Sequence, residues 1–97
     1  MNISEKEFQH YDQMAEMLKT MGHSLRISII KLLCENKRLS VTEIFTALGI
    51  EQAVASHHLR LLKSARIVAS QKKGKNVYYS IADPIISKIH KLIRLKN

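Results

Sequence analysis

Phe8, Tyr11, Met14, Leu18 and Met21 recur at spacings of three and four, which predicts an amphipathic helix from about residue 5 to 20. Ser4-Glu5-Lys6-Glu7 ahead of it is a capping box, with Ser4 as N-cap and Glu7 at the third helical position. Gly22 is the expected stop, in the place that favours a left-handed residue. Leu25, Ile29, Leu32 and Leu33 then form the apolar face of a second helix, roughly 24–35, with Ser28, Lys31 and Glu35 facing out. Beyond the polar Asn36-Lys37-Arg38, a second capping box, Ser40-Val41-Thr42-Glu43, opens a third helix. Its buried stripe is Val41, Ile44 and Leu48, and Gly49 ends it. Only Ile50 and Glu51 precede a fourth helical pattern, about 52–64, with Ala55, His58, Leu59 and Leu62 on one face. Two short helices joined by a tight glycine turn are the signature of a helix-turn-helix.

The period then drops to two. Ile67 to Gln71 and Val77 to Ile81 are β-forming, and Val77, Tyr79 and Ile81 share a face. They predict one hairpin of about fifteen residues whose tip is Lys-Lys-Gly-Lys-Asn. Asp83 as N-cap and Pro84 at the first helical position open a last helix, to about residue 95, lined by Ile85, Ile86, Ile89, Leu92 and Ile93. The predicted fold is mainly α with a small β-hairpin: a winged helix-turn-helix of order helix-helix-helix-helix-strand-strand-helix. One domain is expected over residues 1–97.

Composition narrows the function. A chain of 97 residues buries only about 60–65% of its unfolded surface, so dimerisation would add stability. Cys34 is the single cysteine, which excludes an internal disulfide and a cysteine-only zinc site. The first residues lack the apolar core of a signal peptide, and no apolar run is long enough to cross a bilayer, so a cytoplasmic protein without a membrane partner is expected. The three glycines make no phosphate-binding pattern, no cofactor is indicated, and no catalytic constellation argues for an enzyme. The net charge is +8, and it is uneven. Residues 51–80 hold six Lys or Arg against Glu51 alone, whereas residues 1–20 hold four acids and two bases. A basic patch on a helix-turn-helix is what double-stranded DNA requires.

Four segments in register resemble the ArsR/SmtB regulators. Met21-Gly22-His23-Ser24-Leu25-Arg26 is similar to that family's junction before its second helix. Leu39-Ser40-Val41-Thr42-Glu43-Ile44, followed by Ala47-Leu48-Gly49-Ile50, resembles its third helix. Ala55-Ser56-His57-His58-Leu59-Arg60-Leu61-Leu62-Lys63 resembles its recognition helix, and Gly74 to Ile81 its wing strand. The resemblance implies a homodimeric DNA-binding transcription factor, usually a repressor released by an inducer, with the first and last helices as dimer layer. Two positions depart from the family: Glu51 stands where a serine usually caps the recognition helix, and Arg66 stands where many members have glycine.

The outward stripe of the fourth helix supplies the candidate base-reading residues: Gln52, Ala53, Ser56, His57 and Arg60. Lys72, Lys73 and Lys75, with Asn76, are the candidate phosphate-holding residues of the wing. His58, on the inner face, is expected to be a hydrogen-bonded core histidine, and Cys34 a small buried hydrophobe. Phe8, Tyr11, Met14 and Leu18, with Ile86, Ile89, Leu92 and Ile93, are expected in the dimer interface.

The inducer is expected not to be a metal. Metal-sensing members place a Cys-x-Cys pair at the start of the third helix, where this chain has Leu39 to Glu43. Others pair Asp-x-His with His-x-x-His on the last helix, where Ile85 replaces the first histidine and residues 92–96 hold no donor. Three alternatives remain: an architectural DNA-binding protein with little sequence preference, a module bound mainly by a protein partner, and a metal-responsive repressor. The last would need an atypical site of His10 and His90 with Asp12 or Glu16.

Overall fold

The computed structural model describes residues 2–94. Its elements are α1 (Glu5–Met21), α2 (Ser24–Glu35), β1 (Leu39–Ser40), α3 (Val41–Leu48), α4 (Gln52–Ser64), β2 (Val68–Lys73), β3 (Asn76–Ile81) and α5 (Pro84–Ile93). This is a winged helix-turn-helix. Both capping boxes form: Glu7 N–H donates to Ser4 Oγ at 3.1 Å and Glu43 N–H to Ser40 Oγ at 3.1 Å. Asp83 caps α5 by accepting the Ile85 N–H at 3.0 Å, with Pro84 at the first helical position. The last helix was expected to reach about residue 95, but Leu95 and Lys96 lie outside the described residues.

Helix α2 is the axis of the fold. It packs against α1, α3, α4, α5 and β3. Ile29, Ile30 and Leu33 are buried on it, joined by Ile44 of α3, Leu59 and Leu62 of α4, Ile67 and Val68, and Met17 and Met21 of α1. Ile30 lies outside the expected stripe. A single-stripe reading suits a surface helix, whereas α2 is covered on several sides, and Leu25 and Leu32 are only half-buried.

Two strands are expected from the sequence, and three are present among the described residues. Leu39 and Ser40 pair antiparallel with Tyr79 and Tyr78, giving the sheet order β1-β3-β2. The hairpin is also tighter than expected. Lys72 and Lys73 are strand residues opposite Val77 and Asn76, and the loop is only Gly74-Lys75. Gly74, with φ +62, takes the positive φ that a two-residue hairpin turn needs at its first position.

Three helix ends differ instructively. Gly49 sits at φ +65, and Ile50 N–H donates to Phe45 O at 3.1 Å, a left-handed stop that turns α3 into α4. Gly22 is not left-handed; its φ is −75, and an added Cβ would instead crowd the Lys19 carbonyl at 3.2 Å. Arg66, at φ 62, is the left-handed residue after α4, with Ile67 N–H donating to Leu62 O at 2.9 Å. An arginine thus occupies the conformation that glycine adopts without steric cost.

Replacing Arg66 by Gly is therefore expected to raise stability by up to about 1 kcal/mol, and replacing Gly49 by Ala to lower it by about 1 kcal/mol. Urea unfolding in high salt, which screens the Arg66 charge, measures both; the reverse order of the two variants would refute the assignment.

Candidate nucleic-acid interface

The face of α4 opposite the core carries the predicted residues. Ala55, His58, Leu59 and Leu62 are buried, while Gln52, Ala53, His57 and Arg60 are exposed and Ser56 is half-buried. Gln52, Ser56 and Arg60 of α4, Lys75, Asn76, Val77 and Tyr79 of the wing, and Ser40, Val41 and Thr42 at the start of α3 together line an open groove. Ala53 and His57 are not part of this groove. Thr42 and Tyr79 were not among the predicted site residues. A hydroxyl two positions after an N-cap is a signal that could have drawn attention to Thr42.

The wing lysines separate by register. Lys72 lies opposite Val77 and so shares the sheet face of Tyr79, which also lines the groove; Lys73, opposite Asn76, lies on the other face. Arg38 stacks over the Tyr78 ring, its guanidinium carbon 4.9 Å from the centroid, next to the sheet.

Charge at the helix ends is organised by hydrogen bonds. Glu43 accepts the Ser40 backbone N–H at 2.9 Å, and that bond, with a second to the Ser40 side chain, holds its carboxyl below the usual range. Glu51 stands at the N-cap of α4 but makes no side-chain cap bond. The first-turn N–H groups of α4 thus lack the side-chain acceptor that the serine usual in this place supplies.

His58 is a core histidine, 6% exposed. Arg26 Nε donates to its Nδ1 at 3.2 Å, and the same guanidinium donates from Nη1 to the Thr20 carbonyl at 3.0 Å. Burial above all, then the neighbouring His23, Arg26 and His57, push the His58 pKa below the ordinary histidine value. Cys34 is half-buried against the core, with its Sγ 3.6 Å from Ser87 Oγ.

The residues expected in the dimer layer divide. Phe8, Tyr11 and Leu18 on α1 and Leu92 and Ile93 on α5 are exposed, Leu92 at 86% and Phe8 at 64%. Met14 and Ile89 are partly buried against the core. Ile86 departs from the expectation: it is 0% exposed, consumed within the protomer because its side of α5 faces α2 and β3. His10 lies exposed on α1 beside Tyr11, and His90 is half-buried on α5 in a groove with Lys31 and Arg94. Among the described residues of one protomer, no three His, Cys, Asp or Glu side chains converge as metal ligands. Nor is any described helix long and apolar enough to cross a membrane.

Residues 23–70 match the sequence model of the bacterial regulatory protein arsR family. An uncharacterized HTH-type transcriptional regulator of Methanocaldococcus jannaschii is 39% identical over 85 residues, 88% of this chain and 96% of the relative. The crystal structure of the transcriptional repressor PagR of Bacillus anthracis is similar with a TM-score of 0.84 at 34% identity, covering 91% of this chain and all of PagR's. A homodimeric winged helix-turn-helix DNA-binding domain from Mycobacterium bovis, a possible ArsR-family transcriptional regulator, also gives 0.84, at 29% identity over 95% of this chain and 84% of that one.

Acid should destabilise the fold through His58 before it does so through Glu43. Below the usual histidine value of 6.5 the unfolded chain binds a proton that folded His58 refuses. Stability is therefore full above that value and falls as the pH drops through it, until the lower folded value is passed. The Glu43 contribution is present above 4.5 and is lost only as the pH falls through its lowered folded value. Urea midpoints measured from about pH 8 to pH 5 should decline in the wild type and much less in His58→Gln; equal slopes would count against the assignment.

Proposed function

Because the chain belongs to the ArsR family of bacterial regulatory proteins, we propose that it is a homodimeric, sequence-specific DNA-binding repressor acting on a palindromic operator. It is a transcriptional regulator and not an enzyme. The observation that carries the reading is the groove lined by α4, the start of α3 and the wing, to which α4 brings Arg60 and the wing brings Lys75. Cations from both helix and wing suit a phosphate backbone held in this groove, with the exposed stripe of α4 laid in the major groove. Gln52, Ser56, His57 and Arg60 then reach base edges, and Ala53 offers its methyl group to a base. Lys72, Lys73 and Lys75 hold phosphates.

The dimer is proposed to form through α1 and α5. Phe8, Tyr11, Leu18, Leu92 and Ile93 are large apolar side chains left exposed by the protomer. Such a set on two helices is what a second copy would cover. Ile86 takes no direct part and supports α5 from within, while Met14 and Ile89 bridge the core and the layer. The signal that releases the repressor is proposed to be other than a metal, since the two donor patterns of the family's metal sensors are incomplete in this chain. The protein would act in the cytoplasm, where its DNA is.

Selection of bound duplexes from a random pool should return an imperfect palindrome with half-sites about one helical turn, 34–36 Å, apart. A pool with no enriched sequence at moderate salt would instead support the architectural reading. Ser56→Ala and His57→Ala should shift the preferred sequence, each good base pairing they abolish being worth about 1–3 kcal/mol. Lys72→Ala and Lys75→Ala should weaken all duplexes alike and reduce the salt dependence by about one unit for each phosphate released. An interchange of these two patterns would reverse the roles of helix and wing.

Phe8→Asp with Leu92→Asp places charge in the proposed dimer layer at positions exposed in the protomer, so folding should survive. Light scattering is expected to show a dimer for the wild type and a monomer with weak operator binding for this variant. A monomeric wild type at micromolar concentration would remove the α1–α5 layer from the proposal.

A further inference from the structure

Three histidines and an arginine gather where the junction of α1 and α2 meets the proposed recognition helix. The His58 ring centroid lies 4.7 Å from that of His23 and 5.3 Å from that of His57. Arg26 joins the end of α1, through the Thr20 carbonyl, to α4, through His58 Nδ1. His23 is the N-cap of α2, and its Nδ1 accepts the Leu25 N–H at 3.2 Å. Both imidazoles therefore use Nδ1 as an acceptor, a role open only to the neutral ring.

We infer that this cluster is a proton-operated latch on DNA binding: in mild acid, protonation of His58 at Nδ1 removes the acceptor of the Arg26 bond, loosens α4 against the α1–α2 junction and weakens the hold on DNA. The inference rests on the DNA-binding reading above. Protonated His58 would present an imidazolium to the permanently charged Arg26 guanidinium at hydrogen-bond distance, so the bond becomes a repulsion. The charged or titratable groups acting on His58 are His23 and Arg26 from the junction and α2, and His57 from α4 itself. Helix α3 and strand β2 also pack on α4, but among the described residues they bring no charged group to bear on it. Glu16 of α1 lines a groove together with Thr20 and Arg26 and is the acid on that side. The surroundings of His58 already disfavour its proton, so the latch stays closed at neutral pH. His57 is exposed on the face of α4 proposed to meet DNA. It must therefore stay unchanged in any comparison.

The test compares the wild type with a His23→Asn, His58→Gln double variant. Asn is a favoured N-cap, the Gln side-chain oxygen can accept from Arg26, and neither group titrates. Dissociation constants for a duplex selected from the random pool are measured at about pH 7.5 and about pH 5.5 at fixed ionic strength. The wild type is expected to lose about tenfold more affinity on acidification than the double variant. Superimposable pH profiles would overturn the latch. If neither protein binds any duplex at any pH, the DNA-binding reading fails, and the latch is decided on the free wild type by imidazole titration and amide exchange. Protection in α4 and at residues 20–25 should then fall as His58 takes up its proton. Protection indifferent to that titration overturns the latch, and this measurement also decides the matter should the double variant not fold.

Discussion

The enclosure of α2 sets how the other helices and β3 are arranged around it. A helix with Ile29, Ile30 and Leu33 buried, and neighbours α1, α3, α4, α5 and β3, admits few alternative arrangements, because a close-packed interior resists even small changes of volume. The α3–α4 pair rests on it through Ile44, Leu59 and Leu62, and α5 through Ile86. What projects outward is thereby fixed on two sides: the stripe of α4 with the wing beside it, and the apolar residues of α1 and α5. The same core that orients the basic face thus also orients the face proposed to meet a second copy.

The devices that place the basic face are small and local. A left-handed Gly49 and the Ser40 capping box define where α3 begins and ends, and the Gly74-Lys75 loop fixes the wing register. Only Ile50 and Glu51 intervene between Gly49 and α4, which leaves the two helices little freedom of angle. The N-terminal end of α4 is nonetheless the weaker one. Glu51 supplies no cap, and the ordering of the first turn falls to packing, through the buried Ala55 one turn in.

Most of this was legible in the sequence where an element's end is chemically marked. Ser4 and Glu7, Ser40 and Glu43, and Asp83 with Pro84 placed three helix starts, since each mark acts on neighbours within a turn. The inward face of α4 was also legible, residue for residue. The remainder depends on partners far along the chain. Leu39 and Ser40 are a strand only because β3 comes alongside forty residues later. Ile86 and Leu92 lie on one apolar pattern, but one is fully covered and the other almost bare. Periodicity gives the width of an apolar stripe and not its rotation against neighbours. Thr42 entered the groove, and Arg26 found His58, through tertiary packing that no local pattern encodes.

Lys72 and Lys73, adjacent in β2, point to opposite faces of the hairpin. If the wing meets DNA as proposed, a ribbon with cations on both faces would hold phosphates without reading their sequence. Polarity along any bound strand must then come from elsewhere, from the asymmetric row of uncharged and charged groups on α4, where Gln52 and Ser56 precede Arg60. On the proposed DNA-binding reading, the wing would then be an anchor with no alphabet, and the single face of one thirteen-residue helix would carry the whole message.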